Sequence, residues 1–270
     1  MTTPTILVTG ATDGIGRATA LGLARRGARV LVHGRSRPKA EAVAQAIRRA
    51  GGQADPVVAD LASLAEVHRL AAEVRAAAPR LTVLLHNAGV FQNERSESRE
   101  GYELTFAVNH LAPFLLTALL LDHLTASSPA RVVTVASVAH GQGRLDFDDL
   151  QSRRDYSGYA AYAASKLANV LFARALARRL EGTAVTSNAL HPGVVTTKLL
   201  EAGFGMTGIT PEQGAATSIW AATAPELADV SGRYFSNARL AEPSRLAKDD
   251  ALGERLWTES ARLVHLARPA

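Results

Sequence analysis

Short apolar, β-branched runs alternate with longer helix-like stretches along most of the chain, and this alternation constrains the fold more than any other feature. The runs, which we predict to be strands, span residues 5–9, 28–33, 55–59, 81–86, 131–137 and 184–190. The longer stretches, which we predict to be helices, span residues 15–26, 38–50, 64–78, 102–124 and 159–180.

Several of the predicted strands are apolar nearly throughout, as are strands that are covered on both faces. Strict alternation of strand and helix predicts a parallel sheet with right-handed crossovers. No repeat, low-complexity tract or linker interrupts the pattern. We therefore predict a single α/β domain over residues 1–270, in which a doubly wound parallel sheet lies between two layers of helices.

The composition excludes several classes of protein. The 270 residues are 47% hydrophobic and 20% charged, which is enough apolar sequence for a large core. Cysteine is absent, so disulfides and thiolate chemistry are excluded. The N-terminal residues lack the basic segment and long apolar core of a signal peptide, and no apolar run reaches the ~18 residues of a membrane span. We therefore expect a cytoplasmic protein without membrane contact.

The chain is basic, with a formal net charge of +5. A basic balance can indicate a nucleic-acid partner. Here the arginines are dispersed over predicted helices, as in Arg25-Arg26 and Arg48-Arg49, a pattern typical of solvated helix faces. We therefore expect no nucleic-acid partner.

The first predicted strand runs into a glycine-rich turn, and a helix follows. Glycines at positions 10, 14 and 16 permit a tight turn, close approach of the backbone to a pyrophosphate, and close packing of helix on strand. The helix N-terminus adds free N–H groups and the positive end of a dipole. The residues predicted to form this phosphate-binding turn are Gly10, Thr12, Asp13, Gly14, Ile15 and Gly16.

The end of the second strand predicts the choice of cofactor. Sites for NAD commonly have an Asp or Glu here, which accepts hydrogen bonds from the ribose hydroxyl, whereas this chain has Gly34 and then Arg35. A guanidinium can bind a 2′-phosphate with two donors. We therefore predict that NADP(H) is preferred over NAD(H), with Arg35 as the main contact and Arg17 and Arg37 as secondary candidates.

A tyrosine and a lysine form the core of the predicted chemical site. Tyr162 and Lys166 are four residues apart in a predicted helix, so their side chains point the same way. A free tyrosine has a pKa of about 10 and is a poor base at neutral pH. Because a neighbouring ammonium favours the phenolate, we predict that Lys166 lowers the pKa of Tyr162 and that Tyr162 transfers protons.

Two further polar residues are candidates for the same site. Ser137 ends a predicted strand, where strand ends face the ligand crevice and a hydroxyl can stabilise charge on a substrate oxygen. Asn109 lies four residues before Pro113 in an apolar helix. Proline has no N–H, so the Asn109 carbonyl loses its helical partner and can hold an ordered water. The alternative is an ordinary proline kink.

Small residues and a carboxylate follow two other strands. Asn87-Ala88-Gly89 closes the strand 81–86, where small side chains let the chain pass close to a cofactor. Asp60 ends the third strand and either reaches an adenine edge or caps the next helix. The histidines show no metal-ligand spacing, and the acidic residues 146–149 are typical of a solvated loop. We therefore expect no metal.

Taken together, these motifs resemble the short-chain dehydrogenase/reductase superfamily. The matching pieces are, in order, Thr9-Gly10-x3-Gly14-x-Gly16, Asp60-Leu61, Asn87-Ala88-Gly89, Asn109, Ser137, Tyr162-x3-Lys166 and Pro192-Gly193. Within the superfamily the chain is similar to the retinol dehydrogenase and WW-domain oxidoreductase branch. The segments that carry this second similarity are 135–140, 165–172, 191–195 and 231–236.

The resemblance implies a Rossmann-type fold and a role for each matching residue. Tyr162 would be the general acid/base, Lys166 would lower its pKa and hold the nicotinamide ribose, and Ser137 would orient the substrate carbonyl. Asn109 would hold a water that relays protons from Lys166. The further residues expected to contact the cofactor are Leu61, Pro192, Gly193, Val195 and Thr197.

We therefore predict an NADP(H)-dependent oxidoreductase that interconverts a carbonyl and an alcohol by hydride transfer. Two alternatives stay open: a non-catalytic NADP(H)-binding sensor or scaffold, and a reductase of carbon–carbon double bonds. Residues 196–217 contain several glycines and apolar side chains, which indicate a lid over a hydrophobic small-molecule substrate. The resemblance is also compatible with a homo-oligomer that pairs through the helices holding Asn109 and Tyr162.

Overall fold

The structure, a computed structural model, describes residues 3–266 and contains one eight-stranded sheet. Strands β1 to β8 are, in chain order, Thr5–Val8, Arg29–Gly34, Gln53–Val58, Val83–His86, Ala130–Val135, Val185–His191, Tyr234–Ser236 and Arg239–Ala241. Their order across the sheet is β3-β2-β1-β4-β5-β6-β7-β8. The first seven run parallel to one another. The predicted doubly wound, Rossmann-type α/β fold is therefore confirmed.

The sheet separates two apolar cores, because successive residues of a strand point to opposite faces. In β1, Leu7 faces one core, whereas Ile6 and Val8 face the other. The helix Leu64–Ala77 packs into the first core and the helix Arg37–Arg49 into the second. Burial on both sides explains why the strands are apolar at consecutive positions.

The helices enclose the sheet on both faces. Within the described part of the chain they are Gly14–Arg25, Arg37–Arg49, Leu64–Ala77, Leu104–Ala126, Gly158–Arg179, Lys198–Phe204, Pro211–Thr223 and Asp250–Leu263. Each boundary predicted from the sequence for the first five helices and the first six strands lies within two residues of the observed one.

The C-terminal edge of the sheet differs from the prediction. Strand β8 pairs antiparallel with β7, so the sheet is mostly rather than wholly parallel. The two strands are joined by Asn237 and Ala238, which both have positive φ angles, of 53° and 51°. This is the backbone conformation of a tight two-residue hairpin. Strands of three residues are too short to reveal themselves through apolar alternation.

The C-terminal helix Asp250–Leu263 packs across the outer side of the helix Gly158–Arg179. Trp257 stacks on Phe172 with 5.9 Å between ring centroids and meets Phe114 edge-on at 4.8 Å. Arg178 forms an ion pair with Glu254 at 2.8 Å. Part of the helix surface that was considered for pairing between subunits is therefore covered within the chain itself.

One helix in residues 3–266, Leu104–Ala126, is long and apolar enough to span a membrane. However, 78% of the most apolar stretch of this helix is buried inside the protein. Such burial is typical of the central helix of a folded domain.

Candidate active site

A cleft of about 1020 Å³ opens at the carboxyl ends of the parallel strands. It lies where the strand order reverses between β1 and β4, the usual ligand position in an open α/β sheet. Ser137, Tyr162 and Lys166 all line it, whereas Asn109 does not. The predicted cofactor residues that line it are Gly10, Thr12, Asp13, Gly14, Ile15, Gly16, Arg35, Asp60, Leu61, Asn87, Ala88, Gly89, Tyr162, Lys166, Pro192, Gly193, Val195 and Thr197.

The glycine-rich turn fits a dinucleotide because side chains at its glycines would collide with the backbone. A Cβ on Gly10, which has a φ of +64°, would lie 2.8 Å from the Cα of Ala88. A Cβ on Gly16 would lie 2.1 Å from the carbonyl oxygen of Gly10. The helix Gly14–Arg25 begins inside this turn, and the N–H groups of its first turn have no acceptor within the helix. One of these groups, the Gly14 N–H, donates to the Asp13 carboxylate at 2.9 Å, and the turn offers a close-packed backbone and the remaining N–H groups to a pyrophosphate.

Thr9 and Asn87 join the glycine turn to the end of β4. The Thr9 hydroxyl accepts hydrogen bonds from the backbone N–H groups of Asn87 and Ala88, both at 3.0 Å. The Asn87 side-chain amide donates to the Thr9 carbonyl at 2.8 Å. The Asn87 side chain thus holds the two strand ends together, while the small side chain of Ala88 leaves room in the cleft.

The end of β2 presents basic groups and no carboxylate to the cleft. A Cβ on Gly34 would lie 2.4 Å from the Cγ2 atom of Thr12, so Thr12 excludes an acidic side chain there. Arg35 and Arg17 line the cleft, whereas Arg37 lies at the start of the next helix and does not. Arg37 is therefore the weakest of the three predicted phosphate contacts.

Asp60 lines the cleft and stabilises the turn after β3. Its carboxylate accepts a hydrogen bond from the Ala62 N–H at 3.1 Å. The cap of the next helix is Ser63, whose hydroxyl accepts from the Glu66 N–H at 3.4 Å. The alternative interpretation of Asp60 as the helix cap was therefore wrong.

Ser137, Tyr162 and Lys166 converge on the other half of the cleft. The Ser137 hydroxyl is hydrogen-bonded to the Tyr162 phenol and accepts from the Ala139 N–H at 3.2 Å. The Lys166 ammonium lies 5.5 Å from the centroid of the Tyr162 ring and donates to the Val135 carbonyl at 3.1 Å. The helix Gly158–Arg179 therefore directs both side chains toward the end of β5.

Burial dominates the protonation of both groups. It raises the pKa of Tyr162 to about 12, an effect that the hydrogen bond with Ser137 opposes. It lowers the pKa of Lys166 to about 8. Lys166 is not among the groups that shift the Tyr162 pKa, so the predicted lowering of that pKa by Lys166 is not seen in the chain alone, and at neutral pH the phenol holds its proton.

Asn109 lies beneath the cleft in a π-helical turn, Ala107–Leu111. Its side chain is fully buried and both amide atoms are engaged: the oxygen accepts from the Val90 N–H at 2.8 Å, and the nitrogen donates to the Ser165 hydroxyl at 3.0 Å. The side chain therefore anchors the loop after β4. Turns of this kind are frequent at functional sites, and Pro113 has no N–H to donate to the Asn109 carbonyl.

The segment predicted to be a lid begins beside the glycine turn. Lys198, at the start of the helix Lys198–Phe204, forms an exposed ion pair with Asp13 at 2.6 Å, and this contact lowers the pKa of the Asp13 carboxyl. The two ends of this segment meet where the Thr196 backbone N–H donates a hydrogen bond to the Ile209 carbonyl at 2.9 Å. The helix Pro211–Thr223 then packs into the core, so the predicted lid of 196–217 includes the first turns of a core helix.

Phe91 packs against the Tyr162 ring, and the sequence interpretation missed it. Its ring lies 5.7 Å from that of Tyr162, and a Cβ on Gly203 of the lid would lie 2.9 Å from it. His191 is another residue that the sequence interpretation did not assign to the site, and it lines the cleft. The position of Phe91 two residues after Asn87-Ala88-Gly89 was the available signal, but an isolated aromatic residue does not reveal which ring it contacts.

A Rossmann-type sheet with a Tyr–Lys–Ser group beside a dinucleotide cleft is characteristic of one class of oxidoreductase. The sequence pattern of the short chain dehydrogenase family matches residues 4–204. Retinol dehydrogenase 13 from Homo sapiens is 44% identical over 284 residues, which cover 98% of this chain and 86% of the relative. Retinol dehydrogenase 14 from Homo sapiens is 43% identical over 292 residues, covering 98% and 87%. The chain therefore belongs to the short-chain dehydrogenase family, whose members are oxidoreductases that bind a nicotinamide cofactor.

Solved structures agree with this assignment. A crystal structure of a protein from Mycobacterium paratuberculosis superposes with a TM-score of 0.84 at 34% identity and covers 99% of this chain and 95% of its own. A protein from Beutenbergia cavernae, described as an NAD(P)-dependent gluconate 5-dehydrogenase with NADP bound at low occupancy, superposes with a TM-score of 0.72 at 33% identity. That alignment covers 87% of this chain and 94% of the other.

Proposed function

We propose that this protein interconverts a carbonyl and an alcohol with NADP(H), and that Tyr162 is the general acid/base. The observation that carries the proposal is the convergence of Ser137, Tyr162 and Lys166 on one cleft next to the glycine turn. The bound nicotinamide would supply or accept the hydride. In reduction, the Tyr162 hydroxyl would give its proton to the substrate oxygen as the carbonyl carbon receives the hydride.

The hydrogen bonds at Ser137 suit it to orient the carbonyl. Its oxygen accepts from the Ala139 N–H, and its hydroxyl, which is hydrogen-bonded to Tyr162 in the chain alone, would turn to donate to a substrate oxygen. Preorganised donors of this kind stabilise charge that develops in the transition state. Because burial keeps Tyr162 protonated, the cleft is arranged to donate a proton, which suits carbonyl reduction.

Lys166 and Asn109 would return the proton to Tyr162. The Lys166 ammonium would hold the nicotinamide ribose and pass a proton toward the phenol. A Cβ on Gly89 would lie 3.5 Å from Lys166 Nζ and 3.6 Å from Asn109 Oδ1, so the side chains of Lys166 and Asn109 both lie next to Gly89. A water on the Asn109 carbonyl would relay protons between the solvent and Lys166, so that the solvent replaces the proton that Tyr162 gives up.

The preference for NADP(H) rests on charge at the end of β2. Arg35 and Arg17 line the cleft, and within residues 3–266 neither forms an ion pair with a carboxylate. A 2′-phosphate there would meet two guanidinium donors. The NADP in the Beutenbergia cavernae structure supports this choice.

The substrate side of the cleft supports an apolar small molecule. Val138, Tyr159, Val194 and Met206 are large hydrophobic residues that are both exposed and part of the cleft lining. Apolar walls with a few convergent polar groups are typical of small-molecule sites. We accordingly propose a hydrophobic carbonyl or alcohol as the substrate.

We also propose a cytoplasmic location and no nucleic-acid partner, as the composition and the dispersed arginines indicate.

Tyr162→Phe tests the proposed acid/base role. The matched control is Tyr102→Phe, since Tyr102 does not line the cleft and its hydroxyl donates to the Leu263 carbonyl. We expect Tyr162→Phe to bind NADPH normally and to lose about 10²–10⁴-fold in kcat, while Tyr102→Phe keeps turnover. Equal turnover in Tyr162→Phe and the unmodified protein would refute the role.

The assay is NADPH oxidation over a panel of ketones, aldehydes and enones, with the products identified. If only the carbon–carbon double bonds of the enones are reduced, the alternative of a carbon–carbon double-bond reductase is favoured. Tight NADPH binding without hydride transfer to any of these compounds would favour a sensor or scaffold.

A further inference from the structure

The short helical turn after Ser137 forms one wall of the substrate cleft. Ser137, Val138, Ala139 and Gln142 all line the cleft. His140 lies in the same turn, Val138–Gln142, but it is only 5% exposed and does not line the cleft. Its ring instead points into the protein, where a polar side chain needs partners.

Both ring nitrogens of His140 have backbone partners. Nδ1 lies 2.6 Å from the Ser137 carbonyl oxygen, which can only accept. Nε2 lies 3.0 Å from the Ser244 backbone nitrogen, which can only donate. A single protonation state satisfies both contacts: a neutral imidazole with its hydrogen on Nδ1.

The surroundings of His140 favour the same neutral form. Burial lowers its pKa, and its ring meets the edge of the Tyr234 ring with centroids 5.0 Å apart. His191 interacts electrostatically with both His140 and Lys166, so a second positive charge in this region would be unfavourable. A proton on Nε2 would also point at the Ser244 N–H group and break that hydrogen bond.

We propose that His140 is a positioning residue for the substrate-orienting serine: its neutral ring fixes the Ser137 carbonyl against the Ser244 backbone and thereby sets where the Ser137 hydroxyl points. The inference rests on the proposed function, because it assigns His140 to the same reaction. Ser137 is anchored from one side by Tyr162 and from the other by the chain segment that follows β8. His140 contacts neither the cleft nor a substrate, so it acts through Ser137.

Two substitutions separate the two hydrogen bonds. In His140→Asn the amide nitrogen occupies the position of Nδ1 and keeps the bond to the Ser137 carbonyl. In His140→Gln the amide oxygen lies near the position of Nε2 and accepts from the Ser244 N–H, so this variant keeps only the bond to Ser244. Both variants lose the ring contact with Tyr234, so they form a matched pair for general effects on packing and stability.

We expect His140→Gln to lose about ten- to hundredfold in kcat with NADPH and the best carbonyl substrate, because small displacements of an orienting group have effects of this size. We expect His140→Asn to stay within about threefold of the unmodified protein. The affinity for NADPH and the urea midpoint should be the same in both variants. Equal kcat values in the two folded variants, or a larger loss in His140→Asn, would overturn the proposal.

Imidazole ¹⁵N spectroscopy of the unmodified protein provides a second test that does not depend on variant folding. His140 should show a protonated Nδ1 and an unprotonated, hydrogen-bonded Nε2, its signal being identified by its absence in His140→Asn or, if that variant does not fold, by its contacts with Tyr234. A proton on Nε2 at neutral pH would contradict the assignment. Absence of turnover in the unmodified protein would refute the proposed function instead, so the two failures are distinguishable.

Discussion

Replacing Lys166 with methionine is expected to stabilise the fold at neutral pH while it removes turnover. Lys166 is 3% exposed, and burial lowers its pKa from 10.5 to about 8. Each pKa unit corresponds to about 1.4 kcal/mol. Keeping the ammonium buried therefore costs the folded state about 3 kcal/mol below pH 8.

Methionine has a similar length and carries no charge, so it removes this cost. It also removes the hydrogen bond from Lys166 to the Val135 carbonyl, which contributes about 1 kcal/mol. That carbonyl still accepts a hydrogen bond from the Asn169 side chain at 3.3 Å, so it is not left without a donor. The net gain expected for Lys166→Met at pH 7 is about 2 kcal/mol.

The pH dependence distinguishes this mechanism from ordinary repacking. Between pH 8 and 10.5 Lys166 is protonated in the unfolded chain but neutral in the folded one, so the stability of the unmodified protein rises with pH across that window. The advantage of Lys166→Met should shrink by about 3 kcal/mol over the same range. Tyr162 and the other titrating groups are present in both proteins, and their effects cancel in the difference.

Urea unfolding at pH 7, 8, 9 and 10 measures this difference, provided that the m-values agree. Lys39→Met is the control, because Lys39 is exposed on a helix and such substitutions change stability by less than about 0.5 kcal/mol at any pH. If the advantage of Lys166→Met were constant with pH, or if this variant were the less stable protein at pH 7, the argument from burial would be refuted.

Three other outcomes are expected. Arg35→Ala should lower kcat/KM with NADPH by about tenfold or more through the loss of a charged hydrogen bond and leave kcat/KM with NADH unchanged; equal losses with both cofactors would contradict the assignment. For carbonyl reduction, kcat/KM should fall as pH rises through about 8, where Lys166 loses its charge; a profile flat to pH 10 would contradict a need for the ammonium. Trp257→Ala should lower the free energy of unfolding by about 3 kcal/mol, measured in urea, because Trp257 packs on Phe114 and Phe172; a loss below about 0.5 kcal/mol would show that the C-terminal helix adds little.

The parts of the molecule that could be predicted depend on neighbours in sequence. The glycine turn and the pair Tyr162 and Lys166 are defined by spacings of two to four residues, which fix their geometry within one turn or one helix face. The alternation of strands and helices likewise depends on local apolar runs. Such features keep their meaning wherever the segment lies in the fold.

The parts that could not be predicted depend on contacts between distant segments. His140 meets Ser244 across 104 residues, and nothing near His140 in the sequence indicates that partner. Pro113 correctly signalled a disturbed helix at Asn109, but whether the backbone would kink or widen into a π-helical turn is decided by packing. The pKa of Tyr162 is raised mainly by burial, and burial is a property of the whole fold.

The base of the lid has a consequence for engineering. Thr196 and Ile209 are joined by a backbone hydrogen bond, and the Thr196 hydroxyl both donates to and accepts from the backbone of Gly208. Strand β6 and the helix Pro211–Thr223 therefore enter and leave this segment through one fixed junction. A foreign segment of different length and chemistry could be grafted between residues 197 and 208 as a cassette that changes substrate choice and leaves the reacting groups in register.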